Sequence, residues 1–302
     1  MMDSPNLTRH TPVLRDEVLA LLAPKSGESA LDVTLGLGGH AEAILTATGP
    51  NGMLTGIDAD GRNLASAKQR LSSFADRVHY IHANFRELPS LHLEPVDILL
   101  ADVGLSSPHL DDPARGFSFR ADGPLDMRFD TEHGRPASQL LADSTEDERT
   151  EIFRIYGELP RARTLARALE KAPVTRTQEL VAVVQATYGW KAPAMMPQVF
   201  QALRIAVNDE LNALQTLLTV GPILLKPGGR MAVISFHSLE DRLVKHVFRT
   251  LTTFERDEIT GRRVGEPPFA LLTRKPVRPS EAEVGVNPRA RSALLRAVVR
   301  RV

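Results

Sequence analysis

Leu31-Asp32-Val33-Thr34-Leu35-Gly36-Leu37-Gly38-Gly39-His40 is the stretch that decides the fold. Ala30–Thr34 is short, apolar and rich in strand-forming residues, and reads as a buried strand. Glycines follow at 36, 38 and 39, and Gly39–Thr46 carries a helical pattern. A strand that turns through glycines into a helix presents unpaired N–H groups, and glycine lets a ligand approach the main chain. Alone, Gly36-x-Gly38-x-x-Ala41 also fits a dinucleotide fingerprint, and many such turns merely connect.

Working outward, Leu54–Asp58, Val78–Ala83 and Val96–Val103 read as further buried strands, with a helix predicted over Gly61–Ser73. Such a βαβ series predicts a parallel sheet covered on both faces. Ser106–Asp130 is rich in Pro, Gly, Asp and Arg, and reads as an ordered loop. Ser144–Ala206 is helical in pattern. Its apolar faces are Ile152/Phe153/Tyr156, Leu165/Leu169 and Leu180/Val181/Val184, with Ser144 or Thr145 as a cap. The α/β pattern then resumes. A helix is predicted at Asp209–Leu218 and a turn at Pro227-Gly228-Gly229 leads into a strand over Arg230–Phe236. Ser238-Leu239-Glu240-Asp241 reads as a capping box, and the last strands fall at Ala270–Arg274 and Ala293–Arg300. The expectation is one α/β domain, residues 1–110 with 207–302, interrupted by a helical domain at 111–206.

Composition sets the bounds. The chain has 302 residues, 42% hydrophobic and 25% charged, enough for one large core or a core with a smaller lobe. It has no cysteine, which excludes disulfides, thiolate zinc sites and a cysteine nucleophile. No apolar run is long enough to span a membrane. Residues 1–10 are polar, unlike a signal peptide, so a cytoplasmic location is expected. Net charge is zero but unevenly placed: residues 226–302 hold 16 Lys+Arg against 8 Asp+Glu, leaving 21 against 29 before them. A basic C-terminal third suits a polyanionic partner or a plain solvated surface.

Four elements in chain order point to one ligand. The glycine turn is the first. Asp58 ends a strand twenty positions after Gly38 (58 − 38) and can accept ribose hydroxyls, or simply cap the next helix. Phe85, just past the third strand, can pack on an adenine or on the sheet. Asp102 ends the fourth strand at the sheet's carboxyl edge, where ligands bind in open α/β folds and where an ammonium can be held. An adenosyl cofactor fits, and NAD and S-adenosylmethionine remain to be separated. Ser106-Ser107-Pro108 is a loose relative of the Asp/Asn/Ser-Pro-Pro-aromatic turn of methyltransferases that act on exocyclic amino groups. A base amino nitrogen has its lone pair delocalised into the ring. An acceptor on its N–H localises that pair while the methyl donor is held in line.

Longer motifs carry a family resemblance. Asp102–Phe119 continues into Asp122-Gly-Pro-Leu-Asp-Met-Arg-Phe-Asp130, and these stand with His10-Thr-Pro-Val-Leu14, Phe200–Leu211, Val233-Ile-Ser-Phe-His-Ser-Leu-Glu-Asp-Arg242 and Asn287-Pro-Arg-Ala-Arg-Ser292. Over nearly its whole length the chain resembles the ribosomal RNA small subunit methyltransferase H (MraW) family. That resemblance implies a Rossmann-like class I methyltransferase sheet with an inserted all-helical domain. It implies S-adenosyl-L-methionine as cofactor and methylation of N4 of a cytosine in the decoding region of bacterial 16S rRNA, a reaction whose chemistry requires no metal. The substrate is then the rRNA or the small ribosomal subunit, with a homodimer expected. Cofactor contacts carry over onto Gly38, Gly39, His40, Asp58, Phe85, Asp102 and His109, and the catalytic turn onto Asp102, Ser106 and Ser107. The sequence departs from the family at His109, where Gln is usual, at Val33 (Gly) and at Leu294 (Lys). An imidazole differs from an amide in reach and pH response.

Other motifs stay open. Arg115, Arg120 and Arg128 can hold phosphates or pair with Asp111, Asp112, Asp122 and Asp126. Phe236 and His237 can meet a flipped base or serve a helix cap at Ser238. Asn287–Arg291 reads as an RNA-backbone contact or a surface turn. A DNA amino-methyltransferase and a cofactor-binding assembly protein without turnover are the competing functions.

Overall fold

The structure is a computed structural model describing residues 11–256 and 260–302, without the side chains of Glu255 and Arg256; His10 and the polar N-terminal stretch lie outside the described residues. In chain order the elements begin α1 (Arg15–Leu22), β1 (Ser29–Asp32), α2 (Gly39–Ala47), β2 (Met53–Asp58), α3 (Gly61–Arg70), β3 (Val78–His82) and β4 (Val96–Asp102). Helices α4 (Ser107–Asp111), α5 (Ala137–Asp143), α6 (Glu146–Glu151), α7 (Ala162–Lys171), α8 (Thr177–Tyr188), α9 (Ala192–Asn208) and α10 (Glu210–Val220) follow. The chain closes with β5 (Leu225–Ser235), α11 (Ser238–Leu251), a ribbon of β6 (Glu255–Arg256) and β7 (Arg263–Val264), then β8 (Phe269–Leu271), α12 (Glu281–Val286) and β9 (Leu294–Arg300). Two compact units result: one reaches Gly104 and resumes at Ala213, and the other is Leu105–Asn212.

The first unit is built on a seven-stranded sheet of order β3-β2-β1-β4-β5-β9-β8. Strands β1 to β5 are parallel, and β9 runs antiparallel to both β5 and β8. Strand order reverses between β1 and β4, the place where the carboxyl ends of an open sheet leave a crevice. Alternation along β4 explains why its sequence is apolar throughout. Ile98 and Leu100 pack with Val18 of α1, Ile44 of α2 and Leu64 of α3, while Leu99 and Ala101 pack with Leu214 of α10 and Phe248 of α11. Both faces are covered, so neither can be polar. This is the expected α/β, Rossmann-like sheet.

The second unit packs helices around Phe153, Leu165, Leu169, Leu180, Val184, Val199 and Leu203, all buried. Thr145 rather than Ser144 caps α6, sharing a reciprocal capping box with Glu148.

Three expectations change. Ser106–Asp130 is not loop throughout: Ser106 caps α4 and Pro108 sits in its first turn, where its missing N–H costs nothing. The Pro227-Gly228-Gly229 turn lies inside β5. Leu225 pairs with Val96 and Arg230 with Ile98, so the extra residues bulge out where Gly228 takes φ 77°. The cap of α11 is His237, one residue earlier than Ser238, because its Nδ1 accepts the Glu240 N–H while the Glu240 carboxylate accepts the His237 N–H. Among the described residues no helix is long and apolar enough to cross a membrane.

Candidate active site

The glycine turn is held by acids at three strand ends. Asp32 closes β1, and its Oδ1 accepts from the Thr34 N–H (3.1 Å) and hydroxyl (3.4 Å). The same Thr34 oxygen accepts from the Asp102 N–H at 2.6 Å, which ties the end of β4 to the turn. Asp58, closing β2, accepts from the Gly36 N–H at 2.7 Å and from the Asp60 N–H at 2.8 Å, with Asn63 Nδ2 at 3.3 Å. Gly36 and Gly38 take φ 53° and 78°, a region that favours glycine. Gly39 is required for another reason: a Cβ there would lie 2.9 Å from Pro12 Cγ.

The cap of α3 is Asp60, which accepts the Arg62 N–H at 2.9 Å, so Asp58 is not spent on capping. Its carboxylate is pre-aimed by the turn, with Oδ2 on the Gly36 N–H and Oδ1 on the Asp60 N–H.

Behind the turn the charges are buried. Asp32 is 1% exposed. Burial pushes its carboxyl up to about 6, against the pull of His40 and the Thr34 N–H, and Asp102 and Asp58 add to the rise. His40 is buried, with Nε2 3.7 Å from Asp102 Oδ2. His40 Nε2 and Asp102 Oδ1 are buried polar atoms without a hydrogen-bond partner among the described residues. Leaving such atoms unsatisfied costs about 1–3 kcal/mol each. The chemistry of the pocket separates the two cofactors. Asp58 and Asp102 suit a ribose and an ammonium, with Asp32 buried behind them, whereas a pyrophosphate would meet like charge. S-adenosylmethionine therefore fits the residues present. Phe85 starts a 3₁₀ turn capped by Asn84, with its ring half-buried against the sheet cluster of Ile57 and Val33.

Ser106, Ser107 and His109 open the second unit. The Ser106 N–H donates to His109 Nδ1 at 3.2 Å, and the Ser106 hydroxyl lies 3.0 Å from the same nitrogen. His109 is buried between Phe117 and Phe129, ring centroids 5.1 and 5.2 Å away. At the third position of α4 the imidazole does the work of the Gln or Glu of a capping box, so the departure at His109 keeps the cap. Ser107 is the first residue of α4 and is half-buried.

The loop arginines divide. Arg115 is buried and donates to the carbonyls of Arg128 and Phe129 at 2.8 and 3.0 Å. Arg128 grips Asp126 with two bonds of 2.8 Å. Asp122 pairs with Arg176 rather than with a loop arginine. Arg120 is exposed. In the first unit His237 Nε2 lies 3.1 Å from buried Glu240 Oε1, and Phe236 packs on the core beside Gly104, whose added Cβ would stand 3.2 Å from the ring. Part of the basic C-terminal third is internal. Arg230 holds Glu28 and the carbonyls of Leu22 and Ala23, Lys226 holds Asp97, and Arg296 holds Asp241. Arg289 and Arg291 lie exposed on a 3₁₀ turn capped by Asn287. Asp32, Thr34 and Asn63 carry no assignment in the sequence. The available signal was an acid within an otherwise buried strand.

The MraW methylase family model matches residues 7–301. A ribosomal RNA small subunit methyltransferase H from Thermomicrobium roseum is 45% identical, covering 99% of this chain and 96% of the relative. A protein of the same name from Syntrophotalea carbinolica is 45% identical over 97% of this chain and 98% of its own. A putative rRNA-methylase structure from Clostridium thermocellum aligns at 12% identity with a TM-score of 0.47, covering 97% of this chain and 100% of that one, a likeness too slight to add to the fold. The long motifs and the acid-lined turn thus have one source: the chain belongs to the MraW methylase family.

Proposed function

We propose that this protein transfers a methyl group from S-adenosylmethionine to the N4 amino group of a cytosine in the decoding region of 16S rRNA. The observation that carries this reading is the buried Asp102 Oδ1 at the end of β4, without a hydrogen-bond partner among the described residues, in a chain whose family model runs from 7 to 301. The cofactor supplies an electrophilic methyl group. Gly38, Gly39 and His40 form the cradle, Asp58 takes the ribose, Phe85 borders the adenine, and Asp102 offers an acceptor for an ammonium or a substrate amino group. Ser106 and Ser107 are proposed as the turn that accepts from the N4 amino group: accepting that N–H pushes electron density onto the nitrogen, which raises the nucleophilicity of a poor nucleophile, and the proton leaves after the methyl group has moved from sulfur to nitrogen. His109 fixes the Ser106 hydroxyl through the cap. The insert at 111–206 is proposed to recognise the substrate, with the small ribosomal subunit or its rRNA as partner. A cytoplasmic homodimer belongs to the same proposal, and light scattering at working concentration checks its mass.

Mass spectrometry of small-subunit rRNA from cells with and without the gene tests this. A methyl mark on a decoding-region cytosine N4, missing without the gene, is expected. Transfer of labelled methyl to DNA but not to rRNA would overturn it.

A further inference from the structure

The helical unit carries a feature that the methyl-transfer chemistry does not use. Trp190 is the chain's single tryptophan and is 87% exposed. It stands in the 3₁₀ turn Gly189–Lys191 between α8 and α9. Both ends of that turn are anchored. Tyr188 is buried and its hydroxyl donates to the Pro160 carbonyl at 2.9 Å, while Ala192 is buried at the start of α9. Gly189, at φ 56°, ψ −129°, turns the chain out between these anchors. The indole is therefore displayed on a short, fixed turn.

A cation stands beside it. Lys191 Nζ lies 5.2 Å from the ring centroid. Exposed Arg161 follows Pro160, whose carbonyl is bonded to Tyr188. From Leu180 to Asn208 the chain has no acidic residue, although the part before residue 226 is net acidic. A flat aromatic beside a cation, in an acid-free stretch, matches single-stranded nucleic acid: the ring stacks on a base and the ammonium meets the backbone. An apolar protein partner would instead call for further apolar neighbours, and Gly189 and Lys191 flank this ring.

We propose that Trp190, with Lys191 and Arg161, is a base-stacking contact for the rRNA substrate on the inserted helical unit. This rests on the rRNA reading above and names residues of the helical unit that would hold the RNA. Because Trp190 is alone, its fluorescence reports on that contact directly. Titration of the full-length protein with small-subunit rRNA lacking the methyl mark is expected to quench the emission. Trp190→Ala is expected to raise KM for that RNA about five- to a hundredfold, with kcat and cofactor affinity held. Trp190→Phe, which keeps a ring, is expected to recover most of the loss. Unchanged emission, or a wild-type KM in Trp190→Ala, while the wild-type protein methylates rRNA would overturn the contact and leave the function standing. A wild-type protein that methylates no rRNA would overturn both.

Discussion

Asp102 Oδ1 and the Arg115 guanidinium, one in each unit, are both withdrawn from water, and they are provided for in opposite ways. Arg115 donates to two backbone carbonyls and sits 5.7 Å from the Phe117 ring centroid. Asp102 Oδ1 has no hydrogen-bond partner among the described residues, and its neighbour His40 Nε2 has none either. A buried charge with its donors or acceptors matched holds a fold together. One left unmatched is a cost to the fold. Composition cannot make this distinction, because the loop after β4 looks as ready for phosphate as the pocket looks for a cofactor. Hydrogen-bond accounting makes it.

The sharpest way to break the comparison is to remove each charge. Asp102→Ala is expected to lower methyl transfer by about a thousandfold or more, the scale of losing a catalytic electrostatic contact, with thermal stability nearly unchanged. Full activity in that variant would sink the assignment. Arg115→Ala is expected to do the reverse. Denaturant unfolding should show a loss of roughly 2–4 kcal/mol, because two carbonyls and a cavity are left behind, with activity per folded molecule retained. If the two variants behave alike, the distinction fails.

Asp32 tests the same idea through pH. Its folded carboxyl sits at about 6, above the ordinary unfolded value of about 3.9. A raised pKa means that the folded state binds the proton more tightly. The group's contribution is thus most favourable below about pH 4 and is lost as pH rises through 6. Asp32→Asn, which keeps an oxygen for the Thr34 N–H, is expected to gain roughly 3 kcal/mol of stability at pH 8, fading toward zero near pH 3. Urea unfolding of both proteins across that range checks it, and a pH-independent difference would contradict the burial account. Asp58→Ala is expected to weaken cofactor affinity about ten- to a hundredfold, from the loss of one or two charge-assisted bonds. Calorimetric titration with S-adenosylmethionine measures it. The smallest effect belongs to His109→Gln. Both residues complete the α4 capping box, so stability is expected to move by less than about 1 kcal/mol, the loss being contact with Phe117 and Phe129. A large loss of cofactor affinity in this variant would show that the imidazole has a role beyond the cap.

Much of the sheet was legible because a strand covered on both faces must be apolar along its length, and the turns between strands are marked by glycines. The edges were less so. β8 is confined to Phe269–Leu271, shorter than the strand the sequence predicts over Ala270–Arg274, and no sequence pattern announces the short α12. Edge strands and single-turn helices owe their existence to neighbours far away in sequence.

The sequence alone determined the βαβ order, the glycine turn, the acids at the ends of β2 and β4, and the family. These are local patterns whose periods and spacings survive without coordinates. Only the tertiary structure decided which charges are spent. Asp58 receives the Gly36 and Asp60 N–H groups while Asp60 caps α3, Arg115 is consumed by carbonyls thirteen and fourteen residues on, and Thr34 joins Asp32 to the Asp102 backbone across 68 residues. A polar group's availability depends on the partners that folding brings to it and on the water that burial removes, and neither is written in the residue's own neighbourhood.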